Sequence, residues 1–471
     1  MNIFAVGIIT ILAIGVVVYM LLKNMDIKIT LLGVGLALMY VALFMGQDIA
    51  VRDFTTTGSI LLDPISVIPI EFVATLSRAG LIILILGGYT AYMNKIGAND
   101  VTVNVLTKPL GKIKSPYLLV PIVFLLGNLL SIVVPSASNL AIILLATLYP
   151  VLKKAGMSTL TTAGVIATTA TIVPTPLGGD NIAVVGELIK SPQFANLTVV
   201  DYVVKYHAIV SIPTLLLMAV AHYFWQKRMD KKDIAKGVND TVIEVDEVKE
   251  VKGSVLYKTV YSILPTLPIF ILLITYTLDL MDIMSISVDV GLASFLSFII
   301  AIICELIRRK ESKLVLKDTE EFFIGMGRAM TVVALLVSAS IFVIGLNSIG
   351  LIAQLQSIMQ STNTVGFALP LILVLFTILI VTLSGSGTAL FYAMVPLMVP
   401  LSEAAGINPI AIAIPMGLTG NLMRACSPVA AVIMIVAGTT KESPVSIVKR
   451  TIVPSVIAVI FMFILSMIIH L

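Results

Sequence analysis

The chain has 471 residues, of which 58% are hydrophobic and 12% charged, with a formal net charge of +4. Mean hydropathy is +1.09. No soluble domain of this length carries so much apolar surface, so the composition excludes a soluble globular protein and predicts a polytopic membrane protein. The small positive charge comes from lysines between apolar segments and gives no reason to expect a nucleic-acid partner. Cys304 and Cys426 both stand in apolar surroundings and read as unpaired thiols.

About 20 apolar residues are needed to cross a ~30 Å hydrocarbon core. The first such stretch, 2–22, lacks a basic leader and a small-residue cleavage site, so it reads as a retained helix. Orientation follows the loops that carry excess Lys and Arg, which stay in the cytoplasm. Lys23 and Lys28 place the first loop there, with the N-terminus outside. Segment 47–64, with Arg52 against Asp48, Asp53 and Asp63, reads as external. A third span ends near Tyr92, and Lys95, Lys108, Lys112 and Lys114 mark the next loop as cytoplasmic.

Segment 116–153 then has two apolar arms around Pro135-Ser-Ala-Ser-Asn139, with basic residues at both ends. Such a segment enters and leaves by one side and is expected to be a re-entrant hairpin. Irregular backbone at depth is tolerated only inside protein or beside water. Segment 158–190 is broken at Pro174-Thr-Pro-Leu-Gly-Gly179 and reads as one crossing made of two half-helices. A span at 202–225 ends in Lys227, Arg228, Lys231, Lys232 and Lys236. The polar run 227–258, with Glu244, Asp246, Glu247 and Glu250, reads as a solvated linker.

The second half repeats the scheme. Spans are expected near 260–280, 288–307 and 322–346, with Arg308, Arg309, Lys310, Lys313 and Lys317 marking a cytoplasmic loop. Segment 347–364 has no base and reads as external. A second hairpin, 365–401, turns at 384–388, and a second broken crossing, 410–438, breaks around Arg424-Ala-Cys-Ser-Pro428. The last span is 453–470. The expected fold is an all-α polytopic membrane protein with about ten transmembrane helices plus two re-entrant hairpins in two inverted repeats. Residues 1–226 form the first repeat and 259–471 the second.

A constant offset supports that division. Ser136/Ser386, Pro150/Pro400 and Gly156/Gly406 are each 250 residues apart, as are Leu140/Leu390, Ala163/Ala413 and Thr169/Thr419. Paired interrupted segments in the two halves are the best sequence pointer to a transport site. The candidate substrate ligands are therefore Ser136, Ser138 and Asn139 at one tip, and Ser384, Ser386, Gly387 and Thr388 at the other. Small polar residues at a tip also serve turns and close helix packing.

Two ionisable residues sit in the breaks, where a charge is costly and functional by default. Arg424, with Asn421 and Ser427 beside it, offers a fork that matches a carboxylate. It equally suits a structural bond to Asp180 or to backbone carbonyls. Asp180, with Asn181 and Thr175, is a candidate site for Na+ or proton coupling, or a helix cap after Gly179. Arg78, Glu187 and Arg328 fall near predicted span ends and read as snorkelling groups. His207 and His222 read as packed. Nothing in the sequence marks an enzyme: there is no metal-ligand cluster, no nucleophile–base spacing and no phosphate loop.

Several strings resemble the DcuC family of anaerobic C4-dicarboxylate carriers. They are Leu383-Ser-Gly-Ser-Gly-Thr388 with Phe391-Tyr392, Gly406-Ile-Asn-Pro409, Pro415, Asn421-Leu-Met-Arg424 and Ser427-Pro-Val429. In the first half they are Pro135-Ser-Ala-Ser-Asn139, Thr147-Leu-Tyr-Pro150 and Val165-Ile-Ala-Thr-Thr169. The resemblance implies membership of the ion transporter superfamily, with paired hairpins and elevator motion within a homodimer. It implies a bacterial inner-membrane carrier, surrounded by lipid, that exchanges or symports fumarate, succinate or malate without an organic cofactor. The chain departs from the family pattern at Thr388-Ala-Leu390, where Asn-Ala-Pro is expected, and in the break at 174–179, which lacks a Trp. A cation/proton antiporter of the same superfamily, or a carrier of another small organic anion, is the competing reading. Arg424 separates the first two, since an anion carrier needs a fixed positive site.

Overall fold

The computed structural model describes residues 3–23, 25–51, 54–113, 115–236, 251, 253–283, 286–362 and 366–471. Arg52, Asp53, Lys114 and the linker acids Glu244, Asp246, Glu247 and Glu250 lie outside the described residues. Among the described residues all regular structure is helical.

Helices α1 (Ile3–Leu22) and α2 (Ile27–Phe44) meet at Asp26, whose carboxylate caps α2 by accepting the Lys28 and Ile29 amides. Helix α3 (Asp63–Lys95) is one long span widened by a π turn at Leu76–Gly80. Arg78 stands on that turn, in the middle of the helix rather than at an end, so it does not snorkel. It pairs with Glu71 at 3.0 Å. Helix α4 (Ala98–Thr107) occupies what reads in sequence as a loop. Its Thr102 hydroxyl donates to the Ser262 carbonyl of the other half at 3.1 Å.

The first expected hairpin contains α5 (Pro116–Leu130), α6 (Ala137–Thr147) and α7 (Tyr149–Lys154). The broken crossing is α8 (Thr159–Ala167) and α9 (Gly179–Leu188), with non-helical backbone between. Helix α10 (Val199–Ala235) carries the basic cluster into its last turns. Then come α11 (Val255–Leu280), α12 (Val290–Arg309), α13 (Ser312–Asp318) and α14 (Glu320–Ser348). Helix α15 (Leu351–Thr362) fills the segment expected as an external connection and packs on α17. The second expected hairpin holds α16 (Ala368–Ser384) and α17 (Gly387–Ala405). The second broken crossing is α18 (Ile410–Met423) and α19 (Ala431–Thr440), and α20 (Pro444–His470) ends the chain.

Among the described residues ten helices are long and apolar enough to cross a membrane, the number expected, but they are not the same ten. The returning arm α17 qualifies. The segment 158–190 does not, because its break leaves halves of 9 and 10 residues. Exposed apolar side chains such as Phe4, Ile8, Ile299, Ile303 and Ile460 line the outer faces of α1, α12 and α20, as a lipid-facing surface requires.

Helices α2, α3 and α14 form one tightly packed layer. With no hydrophobic drive between helices in lipid, small residues let backbones approach. A Cβ on Gly35 would lie 2.7 Å from the Ile341 carbonyl carbon, and one on Gly325 would lie 2.5 Å from Ala91. Gly80 abuts Val333 while Gly88 abuts Phe322, so α3 and α14 run antiparallel. Gly325→Val should therefore lower the melting temperature of detergent-purified protein, since overpacking costs about 1–3 kcal/mol. An unchanged melting curve would show that the layer yields freely.

The rest of the core converges on Arg450 of α20, which is 1% exposed. The Lys449–Arg450 pair reads in sequence as a loop marker, yet Arg450 is buried. Its guanidinium pairs with Asp230 at 2.7 Å and Asp233 at 2.6 Å on α10, and donates to Thr161 of α8 at 2.9 Å. His222 and His207 are packed as expected, within reach of Thr168 and Gln226, and of Ser211, respectively.

Candidate binding site at the paired helix breaks

Each segment expected as a hairpin packs on the break of the crossing that follows it. In the first half, Asn128 of α5 donates to the Thr168 carbonyl at 3.2 Å and accepts from the Thr171 amide at 3.0 Å and hydroxyl at 2.7 Å. These bonds satisfy backbone that the α8–α9 break strips of helical partners. In the second half, Gly385 adopts φ 70° and lies against the Ala430 backbone, while a Cβ on Gly387 would lie 2.5 Å from the Gly420 carbonyl. Only glycine fits both demands.

The two breaks are also tied to each other. Asn421 Nδ2 donates to Asp180 Oδ2 at 3.2 Å, and Arg424 Nη2 donates to the Ala170 carbonyl. Asp180 occupies the first turn of α9 and is not its cap; Gly178 holds that position. The other Asp180 oxygen accepts the Asn181 amide at 3.0 Å. Among the described residues no ion pair joins Asp180 to Arg424. Among the described residues no three His, Cys, Asp or Glu side chains are placed to hold a metal ion.

A cavity of about 510 Å³ opens at this junction. Ser136, Thr175, Asp180, Thr388, Asn421 and Arg424, all predicted from sequence, line it. Ser138, Asn139, Ser384, Ser386, Gly387, Asn181 and Ser427 do not. Asn139 is exposed, its amide donating to its own cap Ser136. Asn181 Nδ2 instead shapes the break, donating to the Thr175 carbonyl at 2.9 Å. Ser427 is fully buried.

Sequence reasoning missed Thr171, Tyr392 and Arg328, which also line the cavity. Thr171 was findable: 421 − 171 gives the same 250 as the other pairs. The far wall comes from α3, between Ile83 and Asn94, and from α14 at Gly325, Arg328, Ala329 and Val332. A second cavity, about 390 Å³, touches the same α3 at Arg78 and Ile82, and reaches Asp279 and Asp289 at the ends of α11 and the start of α12. The two cavities are thus stacked along one helix.

A family model for DcuC, the C4-dicarboxylate anaerobic carrier, matches residues 6–471. The chain belongs to the DcuC family. It is 34% identical over 431 residues to the anaerobic C4-dicarboxylate transporter DcuC of Escherichia coli K12, covering 91% of this chain and 89% of that one. It is 33% identical over 465 residues to a probable anaerobic C4-dicarboxylate transporter DcuC of Vibrio cholerae serotype O1, covering 98% and 97%. Two solved structures share the fold. The Alcanivorax borkumensis YdaH transporter superposes with a TM-score of 0.68 at 15% identity, over 94% of this chain and 97% of that one. Neisseria gonorrhoeae MtrF, described as illuminating a class of antimetabolite efflux pumps, gives 0.55 at 14%, over 96% and 97%.

This DcuC-family protein is a multi-pass inner-membrane transporter and not an enzyme. Its departure from the family pattern at Thr388 falls on the cavity wall. One of the strings that carry the resemblance, Asn421-Leu-Met-Arg424, supplies both cross-links between the breaks.

Proposed function

We propose that the protein carries C4-dicarboxylates such as fumarate, succinate and malate across the bacterial inner membrane. In this reading the cavity at the paired breaks is the substrate site. One observation carries it: Arg424 lines the cavity and, among the described residues, makes no ion pair there. A dianion leaving water needs an opposing charge, and the guanidinium fork matches a carboxylate. The N-terminus of α17 adds donors, because Ser386 makes no side-chain cap there. Asp180 loads the N-terminus of α9 with negative charge, which suits a proton or Na+ rather than the substrate.

The two halves act as inverted repeats. The α3–α14 layer serves as scaffold, and the hairpins with the broken helices move past it in an elevator stroke, as exchanger or ion-coupled carrier, within a homodimer. The antiparallel packing of α3 and α14 supports this reading. Cysteines placed at Ser115 and Glu403, one on each hairpin region, should then react with impermeant maleimide from opposite sides of the membrane. Reaction from one side would remove the inverted arrangement.

Proteoliposome uptake of labelled succinate, with fumarate, malate, citrate and acetate as competitors and with or without Na+ and pH gradients, tests the function. Competition by the C4 dianions is expected; competition only by other anions would contradict it. In the same assay Asp180→Asn should remove the gradient dependence more than it weakens succinate competition. Unchanged gradient dependence would reduce Asp180 to a link with Asn421.

A further inference from the structure

The two arginines that sequence reading set aside are repeat mates. Glu71-Phe72-(five residues)-Arg78-Ala79 on α3 and Glu321-Phe322-(five residues)-Arg328-Ala329 on α14 share one pattern, and 321 − 71 and 328 − 78 both equal 250. The geometry repeats as well. Arg78 pairs with Glu71 at 3.0 Å, and Arg328 pairs with Glu321 at 3.1 Å, each two helical turns back along its own helix. Arg328 lines the cavity that holds Arg424, and Arg78 lines the stacked cavity on the other side.

Their spacing follows from the packing. Gly87 abuts Ala329 and Gly80 abuts Val333, so the level of Arg328 on the antiparallel α14 corresponds to about residue 85 on α3. That is about seven residues from Arg78, or about 10 Å along the axis. Each side chain reaches back to its own glutamate on antiparallel helices, so the two guanidiniums stand at two heights at least that far apart on one glycine-packed layer.

We propose that Arg328 and Arg78 are alternating second carboxylate sites for the dicarboxylate, one for each end of the transport stroke. This rests on the reading of the cavity at Arg424 as the substrate site. Arg424 travels with the moving breaks and holds one carboxylate throughout. Arg328 takes the other in the arrangement seen here, and Arg78 takes it after a stroke of about 10 Å or more. A dianion thereby meets two cations in either state. Glu321 and Glu71 neutralise each arginine while it waits, so the unoccupied wall carries no unpaired charge. The distal carboxylate must displace the glutamate, which makes these pairs a selectivity device against monocarboxylates.

The test is side-resolved transport. Succinate uptake is measured in right-side-out and in inside-out membrane vesicles for the wild type and for R78Q and R328Q, with E71Q and E321Q alongside. R78Q should raise KM roughly tenfold or more at one face with little change at the other, and R328Q should do the reverse. E71Q and E321Q should lower KM at the matching face, because the competing carboxylate is gone. If an arginine variant misfolds with its glutamate unpaired, the E71Q/R78Q and E321Q/R328Q doubles replace it and should show the same one-sided KM rise. Equal effects at both faces, or none, overturn the alternation while leaving the Arg424 site standing. A wild type that moves no dicarboxylate overturns both.

Discussion

Arg424→Ala is expected to abolish substrate binding in protein that still folds. Arg424 is the cation contributed by the helix breaks, and it is fixed by one bond to the Ala170 carbonyl rather than by an acid. Removing one partner from a buried charge pair costs about 3–5 kcal/mol, or more than a hundredfold in affinity. Arg424→Lys keeps the charge but loses the planar fork and its fixed donors, so affinity should fall while some binding survives. The ordering wild type, Lys, Ala is measured by succinate binding to purified protein, with melting curves as the control for folding. Binding by folded Arg424→Ala within a few-fold of the parent would remove the anion site and favour the cation-antiporter reading.

Arg450→Ala is expected to be the most destabilising single change in the core. The guanidinium, 1% exposed, bonds Asp230, Asp233 and Thr161, and Gln226 Nε2 donates to the Arg450 carbonyl at 2.9 Å. Its loss leaves Asp230 buried without its cation, at about 3–5 kcal/mol. Next to it, the Thr451 hydroxyl donates to the Ala425 carbonyl at 2.6 Å, so a shift of α20 also reaches the residue after Arg424. The loss should appear as poor yield and a lowered melting temperature. The triple variant Arg450→Met, Asp230→Leu, Asp233→Asn should recover part of it, because buried ion pairs exchange well for apolar packing once all partners go together. If Arg450→Ala melts like the parent, the cluster holds nothing together.

Much of this arrangement was legible in the chain. Interrupted apolar stretches located both breaks through Pro174 and Gly178, and through Pro428, although the first break already opens at Thr168, six residues ahead of Pro174. The 250-residue offset pairs Thr171 with Asn421, both on the cavity wall. Six predicted residues line the cavity because both breaks and both turns meet there. Ser138 and Asn139 fail for a helical reason: α6 starts at Ala137, and successive residues then turn away by about 100°.

Loop charges misled where a base is paired inside the protein. Arg450 finds its acids 217 and 220 residues away, which no local count reveals, and Arg78 finds Glu71 two turns back. Helices α4 and α15 are too short and too polar to register as apolar segments; their packing against other helices, Thr102 on Ser262 among it, stabilises them.

Substrate protection of a single cysteine tests the central claim most directly. Val173 lines the cavity between the two breaks and is half-buried. Val173→Cys, in a chain with Cys304 and Cys426 replaced, should react with a small maleimide. Succinate or fumarate should slow that reaction in a saturable way, while acetate should not. A transport-competent Val173→Cys protein whose labelling rate is the same with and without C4-dicarboxylate would contradict the placement of the substrate at the paired breaks.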